Sequence, residues 1–467
     1  MTQAWSLSSW TERPNSQPFA YPDEQALSRA VAQLRGMPPL VTSWEIERLK
    51  RLLADAQVGK RFLLQGGDCA ELFSECHPAI ITRKLKILLQ MSFVLAHAFR
   101  APVIRVGRFA GQYAKPRSSP TETRDGVTLP SFLGDNVNRA EFTPEARRLD
   151  PALMVAAHER AAITLNFSRS LLEGGFADLH HPEYWELPFA RTAPLRPEIR
   201  AEYEAMTTKM SEALRFMSAV GERTLSEMAR CDFYTSHEGL HLHYEAAQTF
   251  AVPRRPGHYD LSTHFPWIGE RTRDPDGAHI EFFRGVQNPL GIKVGPTARP
   301  DDILRTIELL NPEDEPGKIA LITRFGADKV LAALPQIVQV IGRSGRRVLW
   351  VSDPMHGNTR RTASGRKVRR FDEILLEVER SFEIHEACGS QLGGVHFELT
   401  GEDVTECTGG AGAITESDLE SGRYSTGCDP RLNFHQALEM SFLIARLLSA
   451  RRVETQGPLS SRRPGFF

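Results

Sequence analysis

The sequence contains little cysteine and no long uninterrupted apolar run. Only six of its 467 residues are cysteine, and no two of them form a CxxC pair. A set this sparse does not build a disulfide framework and is typical of a reducing cytoplasm. The most apolar helix-like segment, Ile87–Phe99, is too short to span a bilayer, and Met1–Asn15 lacks a basic start followed by an apolar block. We therefore expect a cytoplasmic protein with no membrane segment and no secretory signal.

An excess of charge of either sign is also absent. The 57 basic and 58 acidic side chains give a formal net charge of -1, so no overall field attracts nucleic acid or a membrane surface. The basic stretch Asn358–Asp372 has no aromatic residue between its basic side chains, only Phe371 after the last of them, whereas nucleic-acid binding would favour interleaved aromatics. We interpret this stretch as a mobile lid that brings Lys367 or an arginine to an anionic substrate.

What the sequence does contain is a repeated pattern of an apolar strand that ends in a polar or charged residue. The clearest example is VLWVSDPMHG, Val348–Gly357. Its apolar part favours an extended backbone, and Pro354 ends the strand because proline has no donor for the sheet. His356 is therefore placed at the exit of the strand.

About eight such strands are mostly separated by amphipathic helical segments, which predicts an α/β fold, a (β/α)8 TIM barrel. We expect an N-terminal arm and helix over residues 1–60, the catalytic barrel over residues 61–450 and a mobile tail over residues 451–467. Helical periodicity over about residues 144–221 is far longer than an ordinary strand-to-helix connection. This stretch is therefore interpreted as a helical insertion after strand 2.

Three local signals refine this outline. A capping-box pattern at Thr42 predicts a helix that extends to about Gln57. The segment Gln112–Asn138 is rich in Pro, Ser, Asp and Gly, which predicts a long ordered loop. Pro335 lies inside a helical pattern and predicts a kink or a break there.

One group of strand-end residues has the chemistry of a metal site. It consists of Cys69, His356 and Glu398, with Asp429 in the loop after the last strand. One thiolate, one imidazole and two carboxylates suit Mn²⁺, Co²⁺, Fe²⁺ or Zn²⁺ rather than Mg²⁺ or Ca²⁺, which prefer oxygen throughout. The alternative for each residue alone is a buried hydrophobic cysteine or a hydrogen-bonded structural histidine.

A second group of strand-end residues is cationic. Its members are Arg108, Arg271, Lys293 and Arg324, with Lys115 and Arg117 in the loop after strand 2. Glu270 is the one adjacent acid, so a multiply charged anion would satisfy these cations, and arginine suits carboxylate or phosphate. The alternative is a rim of separately paired arginines.

The segment HEGLH, His237–His241, matches the HExxH pattern of zinc proteases. That chemistry needs both histidines on one face of a settled helix. Here the motif crosses a strand exit and contains Gly239, so we reject a protease.

Taken together, the motifs resemble those of the type II 3-deoxy-D-arabino-heptulosonate 7-phosphate (DAHP) synthases. They run from Phe62 to Asn433 and read FLLQGGDCAE, GRFAGQYAKPRS, SHEGL, HFPWIGERTR, GIKVGP, ITRFGADK, WVSDPMHGNT, HFELTGEDVTEC and CDPRLN. The resemblance implies condensation of phosphoenolpyruvate with erythrose 4-phosphate and water to give DAHP and phosphate, at the entry to the shikimate pathway. It also implies a divalent metal, with Mn²⁺ or Co²⁺ favoured, and a homo-oligomer, dimer or tetramer.

The resemblance also implies a role for each matched residue. The metal ligands fall on Cys69, His356, Glu398 and Asp429. The phosphoenolpyruvate contacts fall on Arg108, Glu270, Arg271, Lys293 and Arg324, with Trp267 beside them. The erythrose 4-phosphate contacts fall on Lys115, Arg117 and Ser118, and we add Lys367 from the basic stretch.

Two points stay open at this stage. Glu270 and Lys293 are the expected catalytic groups, but either Glu270 or a group on the metal can handle the proton of the attacking water. The alternative to an active synthase is a non-catalytic paralogue or scaffold that binds a shikimate-pathway partner such as chorismate mutase. Such a paralogue should have lost a metal ligand or a phosphate-binding cation, and none is missing.

Cys428 directly precedes Asp429, so its backbone must lie close to Cys69 if Cys69 and Asp429 bind one ion. We therefore expect a Cys69–Cys428 disulfide in oxidised, metal-free protein.

Overall fold

Eight parallel strands form the central sheet of the protein. The computed structural model describes residues 4–174, 196–202, 204–205, 208, 212, 232–420 and 422–456. The strands are β1 (Phe62–Gly67), β2 (Val103–Arg108), β3 (Tyr234–Thr235), β4 (Trp267–Ile268), β5 (Leu290–Val294), β6 (Ile319–Thr323), β7 (Leu349–Ser352) and β8 (Leu392–Glu398). Their order in the sheet is β3-β2-β1-β8-β7-β6-β5-β4.

Backbone hydrogen bonds join the two ends of this sheet. The Trp267 N–H donates to the His237 carbonyl at 3.0 Å, and the Gly239 N–H donates to the Trp267 carbonyl at 2.9 Å. These bonds belong to a parallel bridge between Glu238, just after β3, and Trp267 in β4. The eight strands therefore close on themselves, and the predicted (β/α)8 barrel is confirmed.

Helices surround the barrel and cover its lower end. They are α1 (Glu24–Arg35), α2 (Ser43–Gln57), α3 (Pro78–Phe99), α4 (Pro144–Arg147), α5 (Ala152–Glu173), α6 (Leu242–Ala247), α7 (Ala278–Phe283), α8 (Pro300–Leu310), α9 (Val330–Ser344), α10 (Phe371–Ala387) and α11 (Phe434–Gln456). The capping box at Thr42 is present, because its side chain accepts from the Glu45 N–H and the Glu45 carboxylate accepts from the Thr42 N–H. The predicted helix up to Gln57 is therefore confirmed.

Helix α2 closes the N-terminal end of the barrel. Its Leu49 and Leu53 are buried in one cluster with Leu63, Ala320 and Leu349, which lie on β1, β6 and β7. Burial of such side chains contributes about 1.5–3 kcal/mol each. The interior of the lower end of the barrel is thus filled with apolar side chains.

Three segments differ from the sequence predictions. Gln112–Asn138, expected as a loop, contains an antiparallel hairpin of Thr121–Arg124 and Val127–Pro130. Pro335 lies within α9, which continues through it, so of the predicted kink or break the break is absent. In the basic stretch, expected as a mobile lid, Lys367–Arg370 forms a strand.

That strand is anchored by partners on both sides. Lys367–Arg370 pairs antiparallel with Arg360–Arg361 and parallel with Cys407–Thr408. A further antiparallel hairpin joins Thr249–Ala251 to His258–Asp260. Backbone pairing of this kind fixes the second half of the basic stretch beside the barrel mouth.

The inserted segment and the C-terminus are described in part. Within the stretch of predicted helical periodicity, about residues 144–221, α5 and residues 197–202 are helical, and most of the remainder lies outside the described residues. Helix α11 continues past residue 450 to Gln456, and the rest of the predicted tail lies outside the described residues. Among the helices described, none has the length and apolar character needed to cross a membrane.

Candidate active site

A cavity of about 520 Å³ opens at the C-terminal ends of the strands. Thirteen of the residues that line it were singled out from the sequence: Cys69, Arg108, Lys115, Arg117, Ser118, Trp267, Glu270, Arg271, Lys293, Arg324, His356, Lys367 and Asp429. Glu398 and Cys428 do not line the cavity, but Glu398 contacts His356 and Cys428 contacts Cys69. The structure therefore brings both predicted groups to one place, because parallel strands deliver their carboxyl ends to the same edge.

Strand register explains how residues far apart in sequence meet. Gly67 at the end of β1 lies beside both Arg108 on β2 and Glu398 on β8. Gly67 has a φ of 145°, and a Cβ there would lie 2.8 Å from the Arg108 carbonyl oxygen. The chain can therefore turn at this point and place Cys69 over the barrel end, which a residue with a side chain would obstruct.

The four predicted metal ligands, together with Cys428, form two overlapping groups around Asp429. Cys69, Cys428 and Asp429 form one group, and His356, Glu398 and Asp429 form the other; within each, the donor atoms lie within 4.8 Å of one another. The Cys69 Sγ lies 3.5 Å from Asp429 Oδ2, and His356 Nε2 lies 2.9 Å from Glu398 Oε1. This convergence of sulfur, nitrogen and oxygen donors fits a borderline divalent ion.

Asp353 orients His356, and sequence reasoning did not select it. Its Oδ2 lies 2.7 Å from His356 Nδ1 and also forms an ion pair with Lys293. Burial would raise the pKa of this carboxyl, but the charges of His356 and Lys293 hold it well below its usual range. Because Nδ1 is occupied, Nε2 is left for the cavity. The sequence could have pointed to Asp353, because it is an acid three residues before His356.

Lys115 and Lys367 were expected to contact the second substrate, but their ammonium groups lie against the metal donors. Lys115 Nζ is 2.6 Å from Cys69 Sγ and 3.3 Å from Asp429 Oδ2. Lys367 Nζ is 2.6 Å from Asp429 Oδ1. Both lysines therefore balance the negative charge of the donor set in this arrangement.

Two buried arginines hold Glu398. Its Oε1 accepts from Arg108 at 3.0 Å, and its Oε2 accepts from Arg369 at 2.6 Å. Burial would raise the pKa of Glu398, but the charges of His356, Arg369 and Arg108 keep it well below its usual range. Arg369 was missed as an individual residue, since it lies in the stretch interpreted as a lid.

The remaining groups of the anion site pack around Trp267. The guanidinium carbon of Arg108 lies 5.1 Å from the ring centre, and Lys293 Nζ lies 5.7 Å from it. Burial lowers the pKa of Lys293 to about 8, with the charges of Arg108 and Arg324 acting in the same direction and Asp353 opposing them. Arg324 donates to the His356 carbonyl at 3.1 Å, which links the anion site to the metal donors.

His396 supports Arg108 from inside the barrel and was also missed. Its Nε2 lies 2.7 Å from Arg108 Nη1, and its side chain is fully buried. Burial, together with the charges of Lys293 and Arg108, holds the pKa of His396 well below its usual value. The ring is therefore neutral and accepts the hydrogen bond from Arg108.

Glu270 and Glu238 are both near the cavity but differ in their partners. Glu270 accepts from Arg273 at 3.0 Å, from the Gly295 N–H at 2.6 Å and from the Thr297 hydroxyl at 3.3 Å. Its carboxylate is thus engaged on the rim, where it fixes the backbone that follows β5.

The Glu238 carboxylate lines the cavity and forms no hydrogen bond or ion pair within the part of the chain that the structure describes. A Cβ on Gly269 would lie 2.1 Å from its Oε1, so the absence of a side chain there makes room for it. Burial raises its pKa, against the opposing charges of Lys115 and Lys293. This residue was noted at a strand exit in the sequence but was not chosen as a site residue.

At the outer part of the cavity the loop after β2 meets the segment after β4. Arg271 Nη2 donates to the Ser118 hydroxyl at 2.7 Å. Arg117 lines the same part of the cavity, and its guanidinium is 4.0 Å from Glu122. Two guanidinium groups and a hydroxyl thus stand together where a second anion can enter.

The histidines of the HExxH segment have separate partners. His237 Nε2 lies 2.9 Å from Glu245 Oε1, and His241 Nε2 lies 2.7 Å from the Tyr21 hydroxyl. Glu238, between them, points into the cavity instead. The segment therefore does not present two histidines to a common metal.

Known proteins resemble this chain over almost its whole length. The class-II DAHP synthetase family matches residues 5–445. A phospho-2-dehydro-3-deoxyheptonate aldolase of Streptomyces coelicolor is 47% identical over 438 residues, which cover 94% of this chain and 96% of that protein. Proteins of the same name from Neurospora crassa and Mycolicibacterium smegmatis are 45% and 44% identical, with 94% and 92% of each chain covered.

Proposed function

Because this chain belongs to the class-II DAHP synthetase family, we propose that it is an active 3-deoxy-7-phosphoheptulonate synthase. The reaction is a metal-dependent, aldol-type condensation of phosphoenolpyruvate with D-erythrose 4-phosphate and water, giving DAHP and phosphate. This is the first step of the shikimate pathway to chorismate and the aromatic amino acids.

One observation carries the proposal: a metal-type donor set and two sets of anion-binding cations share a single cavity. Cys69, His356 and Asp429 line one part of it, and Arg108 and Lys293 line the adjacent part. A reaction that joins a phosphorylated enol to a phosphorylated aldehyde needs both kinds of group at one carbon–carbon bond.

The donor set fits a divalent metal, for which we propose Mn²⁺ or Co²⁺, with Fe²⁺ and Zn²⁺ as further candidates. Cys69, His356, Glu398 and Asp429 would hold it, with Asp353 orienting the histidine. When bound, such an ion supplies Lewis-acid polarisation of the aldehyde carbonyl. Lys115 and Lys367 lie against the same donors, and we propose that their ammonium groups also contact the erythrose 4-phosphate.

The protein's own cations hold phosphoenolpyruvate. Arg108, Lys293 and Arg324 line the inner part of the cavity beside the Trp267 ring. Their charges suit a phosphate and a carboxylate on a three-carbon frame. Fixing both ends of the molecule leaves its terminal carbon directed at the aldehyde, which lowers the entropic part of the barrier.

A carboxylate is also needed where water adds to the second carbon. The carboxylate of Glu238, which lines the cavity, has no hydrogen bond or ion pair among the described residues, whereas Glu270 is engaged by three donors. We therefore assign the water proton to Glu238 and give Glu270 the task of positioning the segment next to Lys293.

The test is a phosphate-release assay with both substrates. We expect chelation to abolish release and added Mn²⁺ or Co²⁺ to restore it, and we expect loss of activity in His356→Ala. His97→Ala, which changes an exposed histidine on α3, is the control. No phosphate release by metal-loaded protein would favour the non-catalytic paralogue or scaffold, and full activity after verified metal removal would refute the metal requirement.

The family resemblance also supports two proposals about association. We propose a homo-oligomer, dimer or tetramer, and an association with chorismate mutase. Light scattering of the purified protein, alone and mixed with chorismate mutase, tests both.

A further inference from the structure

The first twenty residues of the described chain form a strap that reaches the rim of the barrel mouth. This N-terminal strap, residues 4–23, is fixed at its beginning by Trp5, whose Nε1–H donates to the Phe282 carbonyl at 3.1 Å. The Trp5 ring occupies the space of a missing side chain, since a Cβ on Gly285 would lie 2.0 Å from it.

The end of the strap is fixed by a buried hydrogen bond. The Tyr21 hydroxyl lies 2.7 Å from His241 Nε2, and both side chains are buried. Phe19 also packs against the His241 ring, with centroids 4.6 Å apart. The strap is therefore held near both ends by aromatic residues, and between them Ser9–Glu12 forms a 3-10 helix whose Trp10 is buried.

The middle of the strap contacts two loops of the cavity rim. The Ser16 hydroxyl donates to the Arg271 carbonyl at 2.6 Å. The Gln17 Oε1 accepts from the Arg117 N–H at 3.0 Å. Two consecutive residues thus bind the backbones of two arginines that come from different loops, after β2 and after β4.

These contacts leave the charged ends of the arginines available. Ser16 and Gln17 are neutral and bind backbone groups, so they do not compete with an anion for either guanidinium. On its inner side the Arg117 loop is tied by the Lys115 N–H, which donates to the Leu133 carbonyl at 2.8 Å. On its outer side the same loop is held by the hydrogen bond from the Arg117 N–H to Gln17. The Arg271–Ser118 hydrogen bond joins the loop after β2 to the loop after β4.

We propose that Ser16 and Gln17 are positioning residues for the second phosphate subsite, and that the strap thereby sets the affinity for the phosphorylated aldehyde. This inference rests on the proposed function: Arg117 and Ser118 are the expected contacts of that phosphate. We add Arg271, which the resemblance places at phosphoenolpyruvate, because its guanidinium donates to the Ser118 hydroxyl. The physical basis is that an anion site built on two loops is strong only when both loops are held at the spacing of one phosphate.

Steady-state kinetics of Gln17→Leu tests the proposal, because leucine keeps bulk but removes the acceptor. We expect KM for erythrose 4-phosphate to rise about three- to tenfold, the effect of one hydrogen bond. We expect kcat and KM for phosphoenolpyruvate to stay within about twofold. Thr11→Val is the matched control, because its hydroxyl bonds to the Ser8 carbonyl inside the strap, and it should change neither constant.

Hydrogen exchange and calorimetry provide readouts that do not depend on turnover. The Arg117 amide should exchange faster in Gln17→Leu than in wild type, and erythrose 4-phosphate, titrated alone, should bind more weakly to the variant. Equal changes in both KM values, or unchanged binding of erythrose 4-phosphate, would overturn the positioning role. If the wild-type protein binds erythrose 4-phosphate but forms no product, the proposed function is refuted. The difference in erythrose 4-phosphate binding between wild type and Gln17→Leu would still test the role of Gln17.

Discussion

Individual side chains in the cavity act in pairs rather than alone. Asp353 contacts both His356 and Lys293, and Arg324 donates to the His356 backbone. A change at one residue therefore reaches both the metal donors and the anion site. The predictions for single residues therefore separate effects on the metal donors from effects on the anion site by measuring the kinetic constants for each substrate separately.

Arg324→Ala should impair the use of phosphoenolpyruvate, because a guanidinium that lines the inner cavity is removed. We expect kcat/KM for this substrate to fall by an amount equivalent to roughly 2–4 kcal/mol of transition-state stabilisation. Arg343→Ala, on the opposite side of the barrel at the end of α9, is the control. Unchanged kinetics for phosphoenolpyruvate would show that Arg324 has no part in binding it.

Glu238→Gln should lower kcat by about 10²–10⁴, the usual contribution of a positioned general base. Burial raises the pKa of Glu238, and a base acts in its deprotonated form. The wild-type kcat should therefore increase with pH through that pKa, and the variant should lose this increase. Glu270→Gln is the comparison. A larger loss of kcat in that variant would show that Glu270, and not Glu238, accepts the proton of the attacking water.

The thiols of Cys69 and Cys428 should form a disulfide on air oxidation of metal-free protein. Their Sγ atoms are 2.8 Å apart, and both cysteines are reduced in the structure. A bound metal holds Cys69 as a ligand and so protects it. Peptide mapping after chelation and long air exposure should recover the crosslinked peptide, with Cys428→Ser as control. If both thiols remain alkylatable, the prediction is wrong.

At the scale of elements, the strand Lys367–Arg370 connects the basic stretch to the metal donors. Arg369 on this strand is fully buried and holds Glu398, the Pro430 carbonyl and the Thr359 hydroxyl. The strand thereby attaches a loop of the rim to the end of β8. Its neighbour Arg370 instead extends outward, with 63% of its side chain exposed.

Arg369→Ala should destabilise the protein by about 3–5 kcal/mol, because Glu398 would lose a partner while it stays buried. Arg370→Ala should change the free energy of unfolding by less than about 0.5 kcal/mol. Denaturant unfolding of both variants makes the comparison. Equal effects of the two substitutions would mean that the buried ion pair does not stabilise the fold.

For the whole molecule, buried histidines predict a loss of stability in acid. Burial lowers the pKa of His385 to about 3, whereas an unfolded chain takes up this proton below about pH 6.5. Between these values the unfolded state binds the extra proton, so the free energy of unfolding decreases as the pH falls. One such group contributes a slope of about 1.4 kcal/mol per pH unit.

His385→Asn should therefore flatten the pH dependence of stability between pH 6 and pH 4.5 by about that slope. Asparagine can keep the contact that His385 Nδ1 makes with the Ser390 hydroxyl at 3.1 Å. His97→Asn, at an exposed position on α3, should leave the slope unchanged. Chemical unfolding at several pH values measures it, and parallel curves for His385→Asn and wild type would contradict the prediction.

The sequence by itself determined the barrel and the location of its site. Alternating apolar strands and amphipathic helices specify a parallel sheet, and the polar residues that follow the strands, such as Cys69, Arg108 and His356, must then meet at one edge. Local signals also sufficed for the capping box at Thr42. These features follow from short-range periodicity and from the geometry of parallel strands.

Only the tertiary structure decided which of these charges contact one another. It placed Arg369 against Glu398, Lys115 against Cys69 and Gln17 against the Arg117 backbone. It also showed that Glu238 lines the cavity and that its carboxylate has no hydrogen bond or ion pair among the described residues. Such pairings join segments far apart along the chain and depend on the direction of each side chain to within a few ångströms. Sequence periodicity places a residue on an edge of the sheet, but it does not specify that direction.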